Sequence, residues 1–100
     1  MLFLTTKTSS GEKQMAEMIV FSDSNFRGES GSFTQDLPNI GNFWNDKITS
    51  ARVVSGTWQV FGDTNFQGRN ITLPPGDYPN LAISPGGIDN DSISSVRIVG

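Results

Sequence analysis

The chain contains neither cysteine nor histidine. These two absences exclude disulfides, thiolate nucleophiles, zinc fingers and imidazole general bases together, because each depends on one of those side chains. They leave the compartment open, since a chain without cysteine suits reducing and oxidising surroundings equally. Positive charge is also scarce. Seven Lys and Arg against ten Asp and Glu give a net charge of −3, and the basic residues (Lys7, Lys13, Arg27, Lys47, Arg52, Arg69, Arg97) are scattered, with no stripe to follow a phosphate backbone. No nucleic-acid partner is expected. Long apolar runs are missing as well: Met1 to Leu4 falls far short of the roughly 7–15 residues of a signal-peptide core or the about 20 of a membrane-spanning helix. No membrane partner is expected either.

What remains is the composition of a small folded domain. A hydrophobic content of 35% excludes Gly, of which the chain has 11, so the shortfall against average globular usage is small and disorder is not indicated. One hundred residues suit one domain around one core. Gly, Pro, Asn, Asp and Ser interrupt the chain every few residues between short β-branched and aromatic runs, which predicts an all-β fold of many short strands. Residues 1–17 are polar and patternless and read as a flexible leader of the kind a cloning vector supplies, with Met15 as a candidate native start and the domain at 18–100.

The domain is an internal duplication. Val20-Phe-Ser-Asp-Ser-Asn-Phe-Arg-Gly28 matches Val60-Phe-Gly-Asp-Thr-Asn-Phe-Gln-Gly68 at a period of 40, and Asn45-Asp-Lys-Ile-Thr-Ser-Ala-Arg-Val-Val54 matches Asn90-Asp-Ser-Ile-Ser-Ser-Val-Arg-Ile-Val99. The repeats cover about 18–55 and 57–100. The second is longer by five residues in the Pro- and Gly-rich stretch between Leu73 and Ile88, where a loop tolerates insertion. Two Phe residues five apart would point to opposite faces of a straight strand. The chain is therefore expected to fold back at Ser22-Asp-Ser-Asn25 and Gly62-Asp-Thr-Asn65, with Gly28 and Gly68 supplying positive φ on the way out. Two such units of four strands each, packed face to face, predict a β-sandwich with pseudo-twofold symmetry.

Aromatic-x4-aromatic-x-Gly followed by Asn-Asp-x-x-Ser/Thr-Ser, present twice and in order, resembles the Greek-key signature of the βγ-crystallins, and in particular their compact two-motif microbial members. The resemblance spans about Met18 to Gly100. It implies two Greek keys packed as a sandwich, with Trp44, Trp58 and Tyr78 serving the core, and a non-enzymatic structural protein that binds two Ca2+ ions. Calcium is a hard cation that takes six to eight oxygens, and the two Asn-Asp-x-x-Ser/Thr-Ser loops offer oxygens and no soft ligand. Carried over position by position, the resemblance implies one site from the Ser24 and Lys47 carbonyls, the Thr49 hydroxyl and the Asp91 carboxylate. A second would use the Thr64 and Ser92 carbonyls, the Ser94 hydroxyl and the Asp46 carboxylate. Ser50 and Ser95 would tie the hairpins by hydrogen bonds instead. Lys47 introduces a positive charge into the first loop, which suggests unequal affinities.

Other readings of the same residues are weaker. Asp23-x-Asn25 and Asp63-x-Asn65 resemble the start of an EF-hand loop, but the twelfth position is Thr34 or Pro74 instead of a bidentate Glu. Asn70-Ile-Thr72 and Asn90-Asp-Ser92 are sequons only on paper without a secretion signal. Asp46 and Asp91 as a catalytic carboxylate pair are better explained by a metal. Phe21, Phe26, Phe61 and Phe66 are expected to fill the core. The alternative function is a non-enzymatic binding module, a protease inhibitor or a surface- or sugar-recognition domain, on the same scaffold with weak or no calcium binding. The loop from Pro74 to Gly87 would then carry recognition. Calcium ions are the expected partner, and the chain is expected to be a monomer with at most weak self-association.

Overall fold

The computed structural model describes residues 16–83 and 92–100, and these form seven antiparallel strands. They are β1 (Glu17–Asp23), β2 (Arg27–Phe33), β3 (Ser50–Ser55), β4 (Trp58–Asp63), β5 (Gln67–Leu73), β6 (Gly76–Tyr78) and β7 (Ser95–Ile98). There is no helix among the described residues, and so none long and apolar enough to cross a membrane. The strands make two sheets, β2-β1-β3-β6 and β5-β4-β7. The expected all-β sandwich of two Greek keys is the architecture found.

The connectivity crosses between the repeats. β6 comes from the second repeat but pairs with β3 of the first, through Ala51 with Tyr78 and Val53 with Gly76. In return Leu37 of the first repeat bridges to Val96 in β7, its amide donating to the Val96 carbonyl at 2.9 Å and its carbonyl accepting from the Val96 amide at 3.0 Å. The Ile40 amide donates to the Ser94 carbonyl at 3.1 Å and the Leu81 amide to the Thr49 carbonyl at 3.0 Å. Each repeat thus lends its third segment to the other's sheet. The expected four-strand units are therefore not self-contained: separating the two repeats would open a backbone ladder in each sheet.

Strand alternation sorts the side chains. Met18, Val20, Ala51 and Val53 face the interior from the first sheet, Trp58, Val60 and Val96 from the second, and Ile40, Ile48, Leu81 and Ile93 close the gap from the connecting segments. Trp58 is fully buried and donates its indole N–H to the Ser55 carbonyl at 3.2 Å, which satisfies its one polar atom. Trp44 and Tyr78 are half-buried and pack against this core from its margin. Ala16 is buried beside Gly56, where an added Cβ would lie 2.7 Å from the Ala16 Cβ. The folded domain therefore reaches two residues into the expected leader, because Ala16 fills that space and Glu17 pairs with Ser55. Residues 1–15 of that leader lie outside the described residues.

Of the four Phe residues of the hairpins, Phe61 is buried as expected, whereas Phe21, Phe26 and Phe66 are half-buried. None of them joins the central cluster between the sheets, because alternation turns their neighbours Val20 and Val60 toward it. The backbone turns sharply at Asn25 and Phe26 (φ 59 and 62) and at Asn65 and Phe66 (φ 61 and 59), a left-handed conformation costing about 1–2 kcal/mol per residue. This brings Phe21 edge-to-face with Phe26 at 5.6 Å and Phe61 with Phe66 at 5.7 Å. An arginine covers each pair: Arg52 lies 4.1 Å from the Phe26 ring, and Arg97 lies 5.4 and 5.3 Å from Phe61 and Phe66. The pairs are corners that brace the hairpins, sheltered by cations on the solvent side.

Candidate metal centre

Each hairpin is pinned to the loop of its own repeat by the same set of bonds. The Ser50 hydroxyl donates to the Asp23 carbonyl at 2.5 Å and accepts from the Phe26 amide at 3.1 Å. The Ser95 hydroxyl does the same with the Asp63 carbonyl at 2.6 Å and the Phe66 amide at 3.1 Å. Both serines are fully buried, so the hydroxyl end of each bond is shielded from water while the hairpin end is only partly so. One residue earlier, the Thr49 amide donates to the Phe21 carbonyl at 2.9 Å and the Ser94 amide to the Phe61 carbonyl at 2.8 Å. Thr49 and Ser94 are therefore fixed by their backbones directly beneath the hairpins, and both are buried.

Beside the hairpin lies an open cleft of about 370 Å3 lined by Ser22, Asp23, Glu29, Asp46 and Lys47. The Thr49 hydroxyl donates to the Ser22 carbonyl at 2.9 Å. Ser22 also accepts the Glu29 amide on its hydroxyl at 2.9 Å, a closure that Gly28 permits at φ 83. The hairpin carbonyl that faces the Thr49 hydroxyl is thus that of Ser22. Ser24, expected there from the sequence, lies in a different cleft with Asn25, Pro79, Asn80 and Ile83, because the left-handed residues that follow it swing this part of the turn toward the second repeat. The Asn25 amide is held there by the Pro79 carbonyl at 2.9 Å.

In the second repeat, Gly62 occupies the position of Ser22, and the Ser92 carbonyl lies 3.8 Å from where a Gly62 Cβ would stand. Ser92 and Ser94 thus come to the hairpin as expected, whereas Thr64 stands two residues further along the turn, in the place that Ser24 holds in the first. Asp46 sits in the left-handed region at φ 58, and its amide donates to the Ile93 carbonyl at 3.2 Å. Ile93 lies between Ser92 and Ser94, so Asp46 reaches from the first loop to the second. Its counterpart Asp91, the carboxylate expected at the first site, lies outside the described residues.

The donor set suits a hard cation. Ser22, Asp23, Glu29, Asp46 and Lys47 bring hydroxyl, carboxylate and carbonyl groups to the first cleft, and the buried Thr49 hydroxyl stands 2.9 Å from the Ser22 carbonyl, a separation that ligands about 2.3–2.6 Å from one shared calcium can adopt. Among the described residues no three His, Cys, Asp or Glu are grouped to hold a metal by side chains alone. Backbone carbonyls would have to supply much of the coordination. The sequence reasoning missed Ser22, Gly62 and Glu29. The available signal was the spacing itself, since pairing Thr49 with Phe21 brings the next hairpin residue, not the turn's centre, over the hydroxyl.

Comparison with known proteins identifies the family that shares this fold. Residues 17–99 match the family model described as Beta/Gamma crystallin. The chain is 44% identical over 86 residues to a beta/gamma-crystallin of Ciona intestinalis, covering 83% of this chain and 98% of that protein. Among solved structures it is similar to a betagamma-crystallin from an archaeon, with a TM-score of 0.77 and 42% identity over 86% of this chain and all of the other. It is also similar to a transition-metal-ion-binding betagamma-crystallin of Methanosaeta thermophila, with a TM-score of 0.68 and 27% identity over 82% of this chain and 99% of that one. Longer animal relatives match as well, and the chain spans only 24% to 47% of their lengths. The family's members are structural, non-enzymatic proteins, at least one of them named for metal binding. With the two Phe-x4-Phe-x-Gly hairpins and the crossed sandwich in place, the chain belongs to the beta/gamma crystallin family.

Proposed function

We propose that the protein is a calcium-binding structural domain holding two Ca2+ ions, one above each Asn-Asp-x-x-Ser/Thr-Ser loop. The observation that carries this reading is the buried Thr49 hydroxyl, 2.9 Å from the carbonyl of Ser22, a residue that lines an open cleft together with Asp23, Glu29 and Asp46. For the first ion the ligands are the Ser22 and Lys47 carbonyls, the Thr49 hydroxyl and the Asp91 carboxylate; Ser22 replaces the Ser24 inferred from sequence. For the second they are the Gly62 and Ser92 carbonyls, the Ser94 hydroxyl and the Asp46 carboxylate, with Gly62 replacing Thr64.

The crosswise use of the two carboxylates is supported by the bond from the Asp46 amide to the Ile93 carbonyl, which holds Asp46 beside the second loop. Each ion would then be ligated by both repeats. Binding to the native but not the unfolded chain adds RT ln(1 + [L]/Kd) to stability. Calcium titration of Asp46→Ala and Asp91→Ala tests the assignment. Asp46→Ala is expected to lose mainly the second site and Asp91→Ala mainly the first, read from chemical-shift changes at Ser94 and Thr49. Loss of the site above the variant's own loop in each case would overturn the crosswise arrangement.

A further inference from the structure

We propose that Phe43 is a positioning residue for the first ion site, its ring holding the Lys47 ammonium away from the cleft that the Lys47 backbone helps to build. The inference rests on the calcium reading above. Lys47 lines the cleft together with the acidic residues Asp23, Glu29 and Asp46. A free ammonium there would settle on those carboxylates and have to be displaced by any incoming cation. Lys47 Nζ instead lies 4.8 Å from the centroid of the Phe43 ring, inside the about 6 Å over which a cation is drawn to a ring face.

The ring is placed for this purpose at some cost to the surface. Phe43 is 52% exposed, so its own burial explains little of its presence. It is held edge-to-face against Trp44 at 5.1 Å, and Trp44 is held in turn by the buried Phe33 at 6.4 Å. Gly31 leaves room for Trp44, since a Cβ on Gly31 would lie 2.9 Å from the indole Cζ2. Phe43 therefore stands on an anchored aromatic platform. The second repeat supplies an internal comparison: the position of Lys47 is Ser92 and that of Phe43 is Ile88. The charge and the ring occur together in one repeat and are missing together from the other.

The test uses the full chain, with calcium as the probe in calorimetry and nuclear magnetic resonance as a metal-free readout. Phe43→Ala is expected to weaken the first site about two- to fivefold, the worth of an exposed cation–π contact, and to leave the second unchanged. Phe43→Ala combined with Lys47→Gln is expected to restore the affinity, since the backbone carbonyl survives and the charge is gone. Without calcium, the Lys47 ε-methylene protons of the parent chain are expected upfield of their ordinary shift, and at that shift in Phe43→Ala. Equal calcium affinity in Phe43→Ala and the parent, failure of the double variant to recover, or an unshifted ε-methylene would overturn the positioning role. Absence of calcium uptake at either site of the parent would instead refute the reading on which the proposal rests, and the proposal with it.

Discussion

Replacing Ser50 with Ala isolates what holds the first hairpin in place. The Ser50 hydroxyl is fully buried and serves two backbone groups at once, the Asp23 carbonyl at 2.5 Å and the Phe26 amide at 3.1 Å. Alanine fits the space but leaves both groups without a partner. An unsatisfied buried backbone group costs about 1–3 kcal/mol, and the hairpin is only partly shielded, so the lower part of that range applies to each and the sum is about 2–3 kcal/mol. At about 4–8 °C per kcal/mol for a domain of this size, the metal-free melting temperature is expected to fall by about 10–20 °C. Thermal denaturation followed by near-ultraviolet circular dichroism, in the presence of a chelator, measures it. Ser50→Ala within about 2 °C of the parent would refute the view that these buried bonds fix the hairpin. Ser95→Ala, with the same two partners in the second repeat, is the matched replicate.

Other consequences follow from the same geometry. Gly68→Ala places a Cβ 2.7 Å from the Asp63 carboxylate at a φ of 81, and is expected to lower stability by about 1–3 kcal/mol in urea denaturation; an unchanged midpoint would contradict the close approach. Burial pushes the Tyr78 hydroxyl above its ordinary 10.0, so the folded state retains the proton longer than the unfolded one. Its contribution to stability is complete below pH 10 and declines as pH rises through the folded value; Tyr78→Phe should remove that alkaline loss, read from melts between pH 9 and about 11.

The repeat, the strands and the bent hairpins were legible because they are written locally: the interval between the Phe residues forces a bend, and the Asn, Asp and Gly around it supply one. The exchange of β6 and Leu37 between sheets was not. It depends on pairing distant in sequence, and Gly76–Tyr78, preceded by Pro74 and Pro75, has none of the apolar alternation of a strand. That the carbonyl facing the Thr49 hydroxyl is that of Ser22 and not of Ser24 has a related cause. Both residues belong to one turn of similar chemistry, and only the dihedrals at Asn25 and Phe26 decide which carbonyl faces Thr49. The four Phe residues were expected in the core for the area they could bury, and of them only Phe61 is buried. Sheet alternation gave the space between the sheets to Met18, Val20, Trp58 and Val60, and Arg52 and Arg97 lie over Phe rings outside that cluster. The hairpin-tying roles of Ser50 and Ser95 were read at the right positions because each motif fixes its last serine relative to the strand that follows.

The central claim, two calcium ions bridging the repeats, is tested most directly by calorimetric titration of calcium into the chelator-treated protein, paired with thermal melts of both states. The account predicts two binding events and a higher melting temperature with calcium, since a hundredfold excess over Kd adds about 2.7 kcal/mol per site. No heat and no shift in melting would contradict it.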